Sequence, residues 1–223
     1  YARQSAAIAS GGNAGAFGGE TKDVVFEVTS LNIKNKESRL MNRMTNECAF
    51  GYRNSIFKIN DSPSAGRRSE EIILEATLQM KTGDPAVIAK AVADKIRFRE
   101  ERHPMDYPNI GSIFKNVPLT QIDAEYTRIN AEKKSARSAF RLRKSAFPIK
   151  QDPFPVVPAA YLIAESGVKG VSYGGAMISP KHPNFIVNVL NASADDVKAL
   201  IKLMKSQVKK KFGIVLEEEV IYV

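Results

Sequence analysis

The chain has 223 residues, a formal net charge of +9 at neutral pH and one cysteine, Cys48. Its length allows one large domain or two small ones, and its apolar and charged fractions are those of an ordinary soluble globule. The composition excludes an internal disulfide and a helical membrane span. The two histidines lie far apart in sequence and argue against a zinc cage, so no metal is expected.

The positive charge is densest in residues 129–147 and 202–212. Such a field suits nucleic acid, an anionic membrane surface or phosphorylated small molecules. Neither stretch has aromatic residues spaced like a platform for stacking bases, and most charge runs are solvated helix faces. We interpret both stretches as solvated helix surface.

The first half of the chain predicts strands and then a helix. A glycine-rich opening is followed by strand patterns over residues 23–33, 44–60 and 70–81. Asp84 and Pro85 have the residue types of a helix N-cap and first turn. The helix that they begin has Ile88, Val92 and Ile96 on one stripe.

The second half alternates helices with short strands. Residues 120–147 have a charged helical pattern, and a short helix begins at Pro158. Residues 169–188 predict two strands around a turn, and Ser193 and Asp196 predict a capping pair for a long helix that stops at Gly213. A last strand follows. Helices and strands are interspersed without a regular βαβ repeat, so the predicted fold class is α+β.

Arg53 interrupts the second predicted strand, in the stretch CAFGYRNSIFKIN. Alternation would place it among small residues, opposite a face with Cys48, Phe50 and Tyr52. An arginine in a strand can simply be a solvent-facing charge at a sheet edge. The small neighbours favour a site instead, because they leave room for a ligand against the strand.

Two further stretches contain candidate chemistry, GSIFKN at residues 111–116 and LEEEV at residues 216–220. The first places the Ser112 hydroxyl at the mouth of a strand, although a turn with a serine hydrogen bond would look the same. In LEEEV, alternation places glutamates on both faces of a strand, so at least one glutamate should face covered surface. A polar strand at a sheet edge is the alternative. No histidine base lies near Ser112 in sequence, so a hydrolytic triad is not indicated. A proton donor, an acid and an anion clamp suit the reduction of a polarised double bond.

Several ordered stretches resemble the UDP-N-acetylenolpyruvoylglucosamine reductase family, flavoenzymes of peptidoglycan synthesis. They are FGYRNSIFK, GSIFKN, PAAYLIAESGVKG, GGAMISPKHPNFIVN and the closing LEEEV, with NAGAFGGE similar to a glycine-rich segment that contacts the flavin. The resemblance implies that FAD takes a hydride from NADPH and reduces the enolpyruvyl group of a UDP-sugar. It implies a cytoplasmic enzyme that acts as a monomer, with no nucleic-acid or membrane partner.

The resemblance also implies roles for individual residues. Ser112 would protonate the substrate, and Arg53 and Glu219 would stabilise the enolic intermediate. Substrate contacts would come from Tyr52, Arg102, Asn116 and His182, and flavin contacts from Asn13, Ala14 and Gly15.

The domain organisation follows from the same resemblance. We expect a remnant of an FAD-binding domain over residues 1–83 and an α+β substrate-binding domain over residues 84–223, with a helical insertion at about 117–157. Within the insertion, residues 120–147 are expected to form a surface excursion beside the substrate cleft. Nothing corresponds to the family's first FAD-binding domain, so the chain is expected to begin within the second. The alternative is a truncated, non-catalytic basic module that binds nucleotide phosphates or nucleic acid.

Overall fold

The computed structural model describes residues 13–17, 19–33, 38–58, 71–124, 147–151, 154–220 and 222. The chain divides into two compact units, Tyr1–Gly83 and Asp84–Val223. Each contains strands, and the second also contains the described α-helices, so helices and strands are mixed as predicted. That the first unit is the remnant of an FAD-binding domain stays a prediction.

The first unit is built on an antiparallel sheet of three strands, β3 (Val25–Asn32), β4 (Arg39–Met44) and β5 (Glu71–Leu78), with β3 in the centre. A short hairpin of β1 (Gly15–Ala16) and β2 (Gly19–Glu20) precedes the sheet. The predictions for β3 and β5 are confirmed. One face of the sheet covers a small core made of Val25, Val28, Cys48 and Phe57.

The strand predicted over residues 44–60 is wrong. Thr45–Cys48 is a 3-10 helix, in which the Glu47 carboxylate accepts a hydrogen bond of 2.8 Å from the main-chain nitrogen of Met44. Ala49 then has a φ of 46°, in the left-handed region. A strand cannot continue through that conformation, so the alternation of faces fails and both Cys48 and Phe57 pack into the core.

The described part of the second unit includes three α-helices with both ends placed and a four-stranded antiparallel sheet. The helices are α1 (Pro85–Arg102), α2 (Ala159–Glu165) and α3 (Ala194–Phe212). The sheet consists of β6 (Asn109–Ser112), β11 (Phe185–Asn188), β10 (Ala176–Ile178) and β9 (Ser172–Tyr173), in that spatial order. Residues 169–188 thus hold three strands instead of the two predicted. The core of the unit lies between this sheet and the buried faces of α2 and α3.

The predicted helix ends are confirmed. The Asp84 side chain accepts hydrogen bonds from the main chain of Ala86 and Val87 at 2.7 and 3.2 Å. Ser193 and Asp196 form a reciprocal capping box at the start of α3, and Gly213 ends that helix with a φ of 74°. These caps depend on neighbours in the sequence, which is why the pattern alone could predict them.

The predicted insertion begins and ends inside the core. A two-stranded pair, β7 (Val117–Pro118) with β8 (Val156–Val157), brings its two ends together. Residues 119–124 are helical, and Ile122 and Phe147 are buried in the core cluster. The expectation of a surface excursion is therefore wrong at both ends, because apolar residues there pack inward. Residues 125–146 lie outside the described part.

The predicted last strand is also wrong as a strand. Among residues 213–220 there is one isolated bridge, in which Glu218 lies opposite Phe114. Ile214 and Leu216 are buried and Val215 and Glu217 are exposed, so the alternation of faces is kept without a full ladder.

Candidate active site

Arg53 lies in a tight turn. The main-chain groups of Gly51 and Asn54 hydrogen-bond to each other at 2.9 and 3.3 Å, with Tyr52 and Arg53 between them. Arg53 has a φ of 55°, whereas Tyr52 does not have a positive φ, and this is the sign pattern of a type II turn. A residue with a side chain is unusual there, and the left-handed conformation costs it about 1–2 kcal/mol. Backbone strain of this kind is concentrated at functional sites.

The Asn13–Gly15 strip packs against this turn. The amide of Asn13 donates to the carbonyl of Gly51 at 2.9 Å, and the Arg53 guanidinium donates to the carbonyl of Gly15 at 3.2 Å. A Cβ at Gly15 would lie 3.2 Å from Nη1 of Arg53, so a larger residue would press on the guanidinium. The strip therefore supports both the main chain and the head of Arg53.

Asn13, Ala14 and Gly15, the residues predicted to contact the flavin, use polar groups for hydrogen bonds within the first unit. Both ends of the Asn13 amide are hydrogen-bonded to main chain, and the Ala14 carbonyl accepts from the main chain and the hydroxyl of Thr21. These polar groups are therefore engaged within the first unit. A flavin contact by these residues stays a prediction.

Tyr52 lies beside the guanidinium. The central carbon of Arg53 is 5.6 Å from the centre of the Tyr52 ring, within cation–π range. The Lys58 ammonium donates to the Arg53 carbonyl at 3.0 Å. This second side-chain contact with the main chain of the turn was not expected from the sequence.

Ser112 is the last residue of β6 and lies opposite Phe185 of β11. Gly111 precedes it with a φ of 91°, a conformation that glycine adopts without strain. Buried Asn184 holds the following residues, since its side chain accepts from the main chain of Phe114 at 3.0 Å and donates to the Phe114 carbonyl at 2.8 Å. The end of β6 is thus fixed by an asparagine that sequence analysis did not single out.

The GSIFKN and LEEEV stretches lie side by side. The nitrogen of Glu219 donates to the Ile113 carbonyl at 2.8 Å, and the nitrogen of Lys115 donates to the Glu217 carbonyl at 3.0 Å. The structure therefore brings Ser112 and Glu219 onto neighbouring, paired segments, although about a hundred residues separate them in sequence.

The three glutamates of LEEEV have different surroundings. Glu217 is exposed and forms an ion pair with Lys115. Glu218 accepts from Lys205 at 2.6 Å and from the Tyr222 hydroxyl at 2.7 Å. Burial alone would raise the pKa of the Glu218 carboxyl, but these two hydrogen bonds lower it below its usual value. Glu218 is therefore a structural carboxylate, and Glu219 is partly covered beside Ile113.

Asn116 has a structural partner. Its Oδ1 accepts from the main-chain nitrogen of Ala159 at 3.2 Å, at the start of α2. The side chain thus satisfies one donor at a helix N-terminus, and its amide NH₂ group is the part left for a ligand.

The two histidines, far apart in sequence, meet in the second unit. The rings of His103 and His182 have centres 5.2 Å apart, and both lie against Phe185. Burial, with a smaller contribution from His103, lowers the pKa of His182 to about 4, so its neutral form is favoured at pH 7. Arg102, the residue before His103, lies over the Phe98 ring at 4.4 Å. Nothing in the spacing of the two histidines signalled this pair.

Within the described residues no group of three or more metal-ligating side chains comes together, and no helix is both long and apolar enough to cross a membrane. The predicted site residues fall into two sets. Tyr52 and Arg53 meet the Asn13–Gly15 strip in the first unit. Ser112, Glu219 and Asn116 lie along one stretch of the second unit, and Arg102 and His182 lie near its histidine pair.

The fold and the site define an α+β protein in which a hydroxyl and carboxylates occupy two paired segments, an arrangement suited to proton transfer. Residues 103–223, more than half of the chain, match the C-terminal domain of UDP-N-acetylenolpyruvoylglucosamine reductase. The chain belongs to the UDP-N-acetylenolpyruvoylglucosamine reductase family.

Individual relatives agree with this. UDP-N-acetylenolpyruvoylglucosamine reductase of Exiguobacterium sibiricum is 34% identical over 212 residues, which are 93% of this chain and 52% of that protein. The Geobacillus kaustophilus enzyme of the same name is 34% identical over 209 residues, with the same coverage. The crystal structure of the MurB reductase from Thermus caldophilus matches with a TM-score of 0.58 and 26% identity, over 93% of this chain and 56% of that one. The chain spans about half the length of these relatives.

Proposed function

We propose that this chain contributes the substrate-binding and proton-donating part of a reductase that converts UDP-N-acetylglucosamine enolpyruvate to UDP-N-acetylmuramate, an oxidoreductase step in peptidoglycan precursor synthesis. The observation that carries the proposal is the pairing of GSIFKN with LEEEV, through the hydrogen bonds of Glu219 to Ile113 and of Lys115 to Glu217. This pairing places a hydroxyl and a carboxylate on neighbouring segments of a family-typical stretch. FAD reduced by NADPH would supply the hydride when bound.

The residues of this chain would handle the proton and the charge. Reduction adds hydride to the β-carbon of the enol ether and a proton to the α-carbon, so the double bond becomes single. Ser112 is proposed to donate that proton. Arg53, a cation, is proposed to stabilise the negative charge that develops on the enolic intermediate before the proton arrives. Glu219 is proposed to stabilise the same intermediate through a hydrogen bond.

The substrate contacts are proposed for four residues. The Tyr52 ring lies beside the Arg53 guanidinium, and the Arg102 guanidinium lies over the Phe98 ring. These contacts orient both side chains. Asn116 would use its NH₂ group, since its Oδ1 caps α2. His182 would act as a neutral imidazole, because burial depresses its pKa to about 4.

Binding of the substrate to the full chain is the direct test. Titration calorimetry with UDP-N-acetylglucosamine enolpyruvate should give a saturable signal, and Arg53→Lys should weaken it because a point charge does not replace a planar bidentate fork. Glu219→Gln should also weaken binding or turnover. Glu217→Gln is the matched control, since Glu217 is exposed and paired with Lys115.

Turnover with added FAD and NADPH tests the chemistry. Ser112→Ala should lower the rate by about 10²–10⁴, the usual scale for a positioned acid, without an equal loss of binding. Absence of substrate binding to the unsubstituted chain would refute the proposed function. Steeply salt-dependent binding of mixed DNA in its place would favour a basic nucleic-acid module.

A further inference from the structure

The turn that presents Arg53 is held from outside by a residue 38 positions earlier in the chain. The Gly51 carbonyl accepts from the main chain of Asn54 at 3.3 Å and from the amide of Asn13 at 2.9 Å. The side-chain contact is the shorter of the two. Because Arg53 has a left-handed conformation that a side chain disfavours, the turn needs such external support to keep its shape.

Asn13 is well placed to give that support. It is fully buried, and its Oδ1 accepts from the main-chain nitrogen of Lys22 at 3.1 Å. This second bond fixes which end of the amide faces Gly51, since only the NH₂ end can donate to a carbonyl. The 3-10 turn Thr21–Asp23, which follows β2, thereby anchors Asn13 on one side while Asn13 holds the Gly51–Asn54 turn on the other.

We propose that Asn13 is a positioning residue for Arg53. Its amide holds the Gly51–Asn54 turn in the conformation that brings the guanidinium onto the Gly15 carbonyl. The catalytic meaning of this role rests on the proposed function, but the positioning itself does not. The family resemblance gave Asn13 a flavin contact, whereas its contacts in this unit point to Arg53.

Amide hydrogen exchange, followed by NMR on the full chain, separates positioning from general stabilisation. Asn13→Asp keeps an acceptor for Lys22 but removes the donor to Gly51. The Asn54 amide should then exchange at least tenfold faster, while the amides of β3 keep their rates. Asn42→Asp, on an exposed residue of β4, introduces the same charge in the same unit and should leave Asn54 unchanged.

A second variant keeps the test decisive if Asn13→Asp fails to fold. Asn13→Ser is smaller and uncharged, and should loosen Asn54 in the same direction. Gly15→Ala leaves the Asn13 amide in place but crowds Nη1 of Arg53, so it should shift the Arg53 Nε–H resonance without faster exchange at Asn54. If either Asn13 variant made all protected amides of the first unit exchange faster by the same factor, the proposal would be overturned. Asn13 would then stabilise the whole unit and would not specifically position Arg53.

Substrate titration connects the positioning to function. Asn13→Asp should weaken binding of UDP-N-acetylglucosamine enolpyruvate by a factor similar to that of Arg53→Lys, while Asn42→Asp should not. A loosened turn in a chain that never binds substrate would refute the proposed function and leave the positioning role intact. A tight turn in Asn13→Asp, with normal substrate binding, would refute the positioning role alone.

Discussion

The helices α1 and α3 differ in what they bury, although their sequences look alike. They have 18 and 19 residues, each begins at a side-chain cap, and each has an apolar stripe. α3 buries five residues, namely Leu200, Ile201, Met204, Val208 and Phe212. No residue of α1 is buried, and Ile88, Val92 and Ile96 are each about half exposed. Periodicity thus predicts a helix and its apolar face, but not whether that face is covered.

The largest expected effect is on the covered face of α3. Met204 is fully buried, so Met204→Ala should remove apolar contacts and leave a cavity. We expect a loss of about 2–5 kcal/mol in the free energy of unfolding, measured by urea titration. Lys202→Ala, on the exposed side of the same helix, is the control and should change it by less than about 0.5 kcal/mol. A loss below about 1 kcal/mol for Met204→Ala would mean that the core around α3 is not closely packed.

The second effect concerns the end of α1, which does have partners. His103 follows the last turn and lies against His182 and Phe185, and Lys181 donates to the Glu100 carbonyl at 2.6 Å. Burial depresses the pKa of His182 to about 4, so the folded state binds its proton less readily than the unfolded state. Protonation of His182 therefore favours the unfolded state. The free energy of unfolding is unaffected by this group above pH 6.5 and decreases as pH falls from 6.5 toward 4.

The measurement for this pH effect is the free energy of unfolding from pH 8 to pH 4. After allowance for the partial exposure of His182, we expect a loss on the order of 1–2 kcal/mol from this group. His182→Gln removes this titration and leaves the contributions of the other ionisable groups, His103 among them. The difference between the two curves should be concentrated between about pH 6.5 and pH 4. Parallel curves would show that His182 titrates normally.

The third effect compares the two N-caps. Ser193→Ala removes the acceptor for the main chain of Asp196 and should lower the free energy of unfolding by about 1 kcal/mol. Asp84→Ala removes the equivalent contact from α1, but that helix buries no residue. It should therefore reduce helical circular dichroism while hardly moving the unfolding midpoint. Equal shifts of the midpoint for the two variants would show that α1 contributes to global stability as much as α3 does.

The smallest effect is expected on the exposed stripe of α1. Val92→Ala should change the free energy of unfolding by less than about 0.5 kcal/mol, since little apolar surface is lost and alanine is the better helix former. Chemical denaturation of the same sample series gives the value. If Val92→Ala lost more than about 1 kcal/mol, the stripe would have to be covered in solution.

The elements that sequence analysis predicted correctly are those with local signals. Asp84, Ser193 and Gly213 mark helix ends through contacts within a few residues, and β3 and β5 have strong β-propensity. The errors lie where distant contacts decide. The turn at Arg53 depends on Asn13, and the segment that ends the chain pairs with Phe114 at a single bridge. Neither contact can be predicted from the residues next to it in the sequence.

The candidate site shows the same division. Family resemblance pointed to Ser112 and Glu219, and the structure brings their segments together, although their catalytic roles stay predictions. The histidine pair and the hold of Asn184 on Phe114 were missed, because residues far apart in the chain form both. Only a three-dimensional arrangement reveals groups of this kind.

Cys48 makes the opening of the first unit measurable by thiol labelling. It is the sole cysteine of the chain and is completely covered, next to Val25, Val28 and Phe57. Burial also raises the pKa of its thiol, so the reactive thiolate is scarce while the unit is closed. A thiol reagent supplied in excess would therefore modify the chain at the frequency with which this small core opens. Mass spectrometry would follow the labelled fraction with time and so give the rate of opening, without any engineered probe.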